Sequence, residues 1–155
     1  MNQPSAFKLE EMGRLKRSLR RVIRELEKAL NCPQIEALEK ELSRFLAPDP
    51  YLFFAPLKKK IEGRGKIVAF WKESRKKGLT RLKLSVADMV VEPCAKTEIR
   101  NNRRLNFDAR GLVVGKYFYA LKRGKTRPLD PGGSFFFEMR HQDDCSWDVD
   151  KQFFS

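Results

Sequence analysis

Long apolar runs are missing from this sequence. The longest, YLFFAPL at 51–57, has seven residues, whereas a helix needs about 20 to cross a bilayer. No membrane partner is expected. Cysteine is scarce: Cys32, Cys94 and Cys145 are far apart and odd in number. That argues against the paired framework of a small oxidised domain and points to a reducing, intracellular setting. There is no Cys-x-x-Cys pair, no P-loop, no dinucleotide fingerprint and a single histidine, His141. The first residues, MNQPSAFKLEEMGRLKR, mix charge throughout and lack the apolar core of a signal peptide. Glu10, Glu11, Glu25 and Glu27 argue against a transit peptide, since those are poor in acids.

Acidic residues are also few beside the bases, 20 against 33, for a net charge of +13. Twelve Phe and 41% hydrophobic residues separate the chain from charged disordered sequences. Its length, 155 residues, suits one domain with a real core, expected over 1–155. The charge is placed unevenly. From 133 to the end there are five acids and two bases, net −3, so the first 132 residues carry +16.

Met12, Leu15, Leu19, Val22, Leu26 and Ala29 are spaced 3, 4, 3, 4, 3, which predicts a helix over about 6–30. Ile35, Leu38, Leu42 and Phe45 repeat the spacing after Pro33, so an antiparallel helical hairpin is expected over 6–46. Pro48 and Pro50 would end its second arm. YLFFAPLKKKI reads as a short helix or an irregular apolar plug. From 66 to 155 the pattern turns to β-branched and aromatic segments: KIVAFW, TRLKLSVADMVV, RRLNFD, GLVVGKYFYA, SFFFEMR and SWDVDKQFFS. Turn-like RKKG, IRNN, DARG and LDPGG separate them. Helices first and strands afterwards imply an α+β fold: the hairpin packed on a mainly antiparallel sheet or small open barrel. The heptad seam suits a partner helix, within the chain or in a homodimer.

Residues 58–78, KKKIEGRGKIVAFWKESRKKG, hold nine bases and two acids. Such density repels itself unless an anion is near, and phosphate backbones are the commonest extended anions in cells. The expected nucleic-acid contacts are Lys58, Lys59, Lys60, Arg64, Lys66, Arg75, Lys76 and Lys77, with Arg103, Arg104, Arg123, Lys125 and Arg127 from two further basic clusters. Trp71 is a stacking candidate for an unpaired base, against the ordinary reading that it is core. The first helix adds a basic stripe.

The tail FFFEMRHQDDCSWDVD holds the candidate catalytic groups Glu138, His141, Asp143 and Asp144. Carboxylates at this density can hold Mg²⁺ in nucleases, but the spacing matches no nuclease signature. His141 and Cys145 with Cys32 and Cys94 would make a zinc set only if three distant elements converged. No metal or cofactor is therefore expected. The sequence reads first as a non-catalytic nucleic-acid-binding protein, with an acidic tail able to mimic the ligand. The alternatives are a regulator or inhibitor docking on an acidic protein partner and a metal-dependent nuclease.

Overall fold

The computed structural model describes residues 9–100, 102–121, 129–142 and 146–155, and the backbone alone of Arg100 and Arg103. Helix α1 spans Leu9–Leu30 and buries Leu15, Leu19, Ile23, Leu26, Ala29 and Leu30. The seam read from the sequence is therefore buried within this chain, against the sheet. It drifts from Val22 to Ile23 because a straight helix loses about 20° per heptad against a 3.5-residue repeat.

The second arm is shorter than expected. A 3₁₀ turn at Ile35–Ala37 leads into α2, Leu38–Ser43, which buries only Leu38 and Leu42. Strand β1, Leu46–Phe54, follows at once. Pro48 and Pro50 do stop helix, yet they lie inside this strand. Its pairing with the last strand skips between Leu46 and Tyr51, which removes the need for proline N–H donors there. The stretch expected as a short helix or apolar plug is thus the end of β1, a 3₁₀ helix at Ala55–Leu57 capped by Lys58, and the start of β2, Lys59–Glu62, antiparallel to β1.

KIVAFW, expected as a strand, lies in helix α3, Arg64–Lys76. Ile67, Val68, Phe70 and Trp71 are buried; at i, i+1, i+3 and i+4 they make one helical face, and tertiary burial overrides β-branched preference. Strands β3 (Leu79–Arg100), β4 (Arg103–Leu121), β5 (Asp130–Gln142) and β6 (Trp147–Phe154) complete the chain. DARG is no turn: it lies within β4, where the register shifts between Phe107 and Ala109. RRLNFD and GLVVGKYFYA are accordingly one strand.

The sheet has six strands in the order β2-β1-β6-β5-β4-β3. All neighbours are antiparallel except β1 and β6, which run parallel. It is open, with β2 and β3 at its edges, and its repeated register shifts bend the strands. The architecture is α+β, as expected, with a mixed curved sheet in place of a barrel.

The helices cover one face, where Leu82, Leu84, Val113, Phe135, Phe137, Met139 and Phe154 form the core with α1 and α3. Phe154 is its centre: its ring lies 5.2 Å from Tyr117, 5.6 Å from Phe137 and 5.7 Å from both Phe54 and Trp71. Helix α1 also closes the β3 edge. The Asn31 side chain donates to the Leu82 carbonyl and accepts from the Leu82 N–H, both at 2.7 Å. The Glu27 carboxylate accepts from the Leu84 N–H at 2.6 Å. Two side chains thus imitate a neighbouring strand and blunt an edge that would otherwise pair with another chain.

Candidate nucleic-acid interface

Burying one face of α1 turns its cations outward. Arg14, Arg17, Arg21, Arg24 and Lys28 are all exposed and recur at 3, 4, 3, 4, so they form one ladder on the helix surface. Fourteen residues at about 1.5 Å each give it a length of about 21 Å. The bonds that close the β3 edge hold Asn31 and Glu27 against Leu82 and Leu84; Arg81 and Lys83, which alternate with those leucines, are exposed. Arg20, Arg24 and Lys83 line one groove with Glu27.

The end of α3 joins this surface. Arg75 donates to the carbonyls of Leu30 at 3.3 Å and Pro33 at 3.4 Å. It therefore ties the end of α3, with the exposed Lys76 and Lys77 that follow, to the end of α1. Lys77 and Leu57 line one cleft, and Lys58–Lys60 follow Leu57 in the chain, exposed.

Not every expected contact is placed for that work. Arg64 donates through Nε to the Ala47 carbonyl (3.0 Å) and through Nη2 to that of Leu46 (2.7 Å). It holds the entry to β1, as Arg75 holds the end of α1. Lys66 is exposed on α3. Trp71 is 4% exposed, its ring 5.0 Å from Phe70 and 5.7 Å from Phe154, so it faces the core rather than the lysine run. Arg104 is exposed at the start of β4, roughly 60 Å along the strands from Arg81 at about 3.3 Å per residue. Arg103 is described by its backbone alone, and Arg123, Lys125 and Arg127 lie outside the described residues.

Arg64→Ala is expected to lower stability by about 1–2 kcal/mol, since a charged donor to two carbonyls is lost, while the salt dependence of nucleic-acid binding stays as it was. Thermal melts and titrations of the same variant check both halves.

The described parts of the tail lie in two paired strands, β5 and β6. Arg140 on β5 pairs with Glu98 (2.7 Å) and Asp150 (3.1 Å), and Lys151 stands 4.0 Å from Glu138. Burial opposes the Arg140 charge, but its hydrogen bond to Glu98 and the charges of Asp150, Glu98 and Glu138 outweigh this and raise its pKa. These carboxylates therefore do not neutralise the surface formed by α1, β3 and α3. His141 is buried, with Nδ1 2.6 Å from Asp108 Oδ1 and its ring 4.8 Å from that of Trp147. Its partner Asp108 carried no signal in the sequence, because only the β4–β5 register brings the two together. Asp143, Asp144 and Cys145 lie outside the described residues. Cys32 sits at the end of α1 beside Leu82, about 40 Å along β3 from Cys94 at about 3.3 Å per residue. Among the described residues no group of three or more His, Cys, Asp or Glu is placed to hold a metal ion. Among them, too, no helix is long and apolar enough to cross a membrane.

Between α3 and the mouth of the sheet lies a cleft of about 330 Å³, lined by Phe54, Phe70, Trp71, Tyr117 and Tyr119 with Lys77 among them. Burial, then the neighbouring Tyr119, raises the Tyr117 pKa. Its phenol stays protonated and donates to the Ser155 carbonyl at 2.9 Å.

The sequence matches no protein-family model and no curated protein. Solved structures do resemble it. An NTF2-like protein of unknown function from Pseudomonas putida KT2440 aligns with a TM-score of 0.61 at 14% identity, over 92% of this chain and 87% of that one. The fold is NTF2-like. A nuclear transport factor 2 (NTF2-like) superfamily protein from Salmonella enterica serovar Typhimurium gives 0.59 at 10% identity, over 92% and 91%. A proposed dehydratase of the NTF2-like family from Streptomyces avermitilis gives 0.61 at 12%, over 92% and 95%. At these identities the likeness speaks for the NTF2-like fold alone.

Proposed function

We propose that this NTF2-like chain is a small, non-catalytic nucleic-acid-binding protein that grips the phosphate backbone with little regard to sequence. One observation carries the reading. Cations distant in the chain come near one another: Arg20 and Arg24 of α1 share a groove with Lys83 of β3, and Arg75 ties the end of α3, where Lys76 and Lys77 are exposed, to the end of α1. Glu138 and Asp150 of β5 and β6 are paired elsewhere, with Lys151 and Arg140. Lys28, Lys58, Lys76, Lys77 and Lys83 with Arg17, Arg21 and Arg24 are the proposed contacts. Guanidinium and ammonium groups on a rigid frame neutralise phosphates and release condensed counterions.

Titration of the pure protein with labelled DNA and RNA oligonucleotides, with and without Mg²⁺, tests this. Binding that weakens with salt and leaves the strand intact is expected. Mg²⁺-dependent cleavage would replace this reading with a nuclease. A lack of affinity at low salt would favour a regulator of an acidic protein partner.

The aromatic cleft favours a second reading, in which a small apolar molecule binds between α3 and the sheet. That reading predicts that Nile red, a neutral dye, binds with a fluorescence rise that Tyr117→Trp, which fills the cleft, abolishes. The nucleic-acid reading predicts that this same variant titrates oligonucleotides as the parent does.

A further inference from the structure

The face of the sheet turned away from the helices carries rings in register. Phe53 on β1 pairs with Phe153 on β6, and Phe153 with Phe136 on β5. Val114 on β4 continues the row, and Lys60 on β2 begins it opposite Phe53. All three rings are half-buried, so each keeps part of its surface in solvent. They border a shallow groove of about 470 Å³ with Val114 and Lys116. Phe136 lies 5.9 Å from Phe153, and Tyr51 lies 5.8 Å from the same ring.

Charge divides this face in two. Toward the β3–β4 tip, acids and bases pair: Arg140 with Glu98 and Asp150, and Arg110 with Glu92. Around the rings bases outnumber acids: Lys60, Lys83, Lys116, Arg81 and Lys151 are exposed, the last paired with Glu138, against the exposed acids Glu62, beside Lys60 on β2, and Asp88. Asp88, at the far end of the row, accepts from the Met89 N–H.

We infer that this aromatic row is a stacking platform for unpaired bases, with Lys60 and Lys116 holding the adjoining phosphates. The inference rests on the nucleic-acid reading and adds the form of the ligand: a single strand. Rings on neighbouring strands of a sheet are farther apart than the roughly 3.4 Å between stacked bases in a duplex. Only an extended strand with separated bases can use two of them at once. Each base has a π face, so such contacts are tolerant of sequence. A second copy of the chain fits this face poorly. A two-fold interface would use this patch on both copies and so gather its excess of bases twice, on two chains of +13 each. Lys83, on the edge strand between this face and the α1 ladder, lets one polyanion engage both.

The test uses the full chain, a labelled oligo-dT of about 15 nucleotides, and a duplex of the same length. Phe53→Leu with Phe153→Leu keeps apolar bulk but removes two rings, and Phe136→Ala removes the third. Thermal melts confirm that each variant is folded. The expected result is a loss of about tenfold or more in single-strand affinity, with duplex affinity and the salt slope unchanged. Unchanged single-strand affinity overturns the platform and leaves the phosphate reading intact. If the parent protein binds neither oligonucleotide at low salt, the phosphate reading itself fails. If sedimentation shows that the parent self-associates and the leucine variant is monomeric, the occupant is a second copy and the platform is overturned.

Discussion

Arg17→Ala, Arg21→Ala and Arg24→Ala together are expected to weaken oligonucleotide binding about a thousandfold at about 50 mM salt. The size follows from counterion release. Each phosphate contact contributes about 0.9 to the slope of log affinity against log salt, hence about one decade at that concentration. Three contacts therefore account for about three decades, and the slope itself should fall by about 2.7. All three residues are exposed on one side of α1, and the buried side is formed by other residues. Stability should therefore barely move, because surface charges away from special features change it by about 0.5 kcal/mol or less. Equilibrium titrations at three or four salt concentrations, beside a thermal melt, read both quantities. A variant that melts normally and binds normally would remove α1 from the interface.

The second large effect concerns the frame that holds this surface. Phe154→Ala is expected to lower the melting temperature by about 10–15 °C. Replacing a buried Phe by Ala costs about 3–5 kcal/mol, and about 2–4 °C is lost per kcal/mol in a domain of this size. Phe154 is 1% exposed and contacts rings from β1, α3, β4 and β5. Its loss leaves a cavity where four elements meet, so little local collapse can fill it. The contacts that set α3 beside α1 depend on the same packing. The variant should therefore also bind nucleic acid more weakly as it approaches its melting point. Differential scanning calorimetry gives the shift, and a change of only one or two degrees would contradict the packing described.

Part of this organisation is legible in the sequence, for physical reasons. The α1 seam repeats over nearly three heptads, and a signal that long survives tertiary context. The alternation in RLKLSV likewise identifies β3 and its wet face. KIVAFW misleads because a short apolar run rich in β-branched residues has no period of its own. Only the burial of Ile67, Phe70 and Trp71 on one side makes it a helix. Pro48 and Pro50 read as helix stops, which they are, but a strand with skipped pairing tolerates them as well. The site divides in the same way. The density of cations in 58–78 was visible, whereas the diversion of Arg64 and Arg75 to backbone carbonyls was not, because their acceptors lie 17 to 45 residues away. The row Phe53–Phe153–Phe136 depends on a parallel pairing between the first and last strands, which no local pattern announces.

Lysine acetylation, followed residue by residue with and without a bound oligonucleotide, tests most directly whether the scattered cations act as one surface. Lys28, Lys58, Lys76, Lys77 and Lys83 should lose reactivity together on binding, while Lys40 on α2 and Lys96, paired with Glu98 at 2.8 Å, should keep theirs. Protection spread evenly over all of these lysines, or confined to one of the segments, would contradict the account.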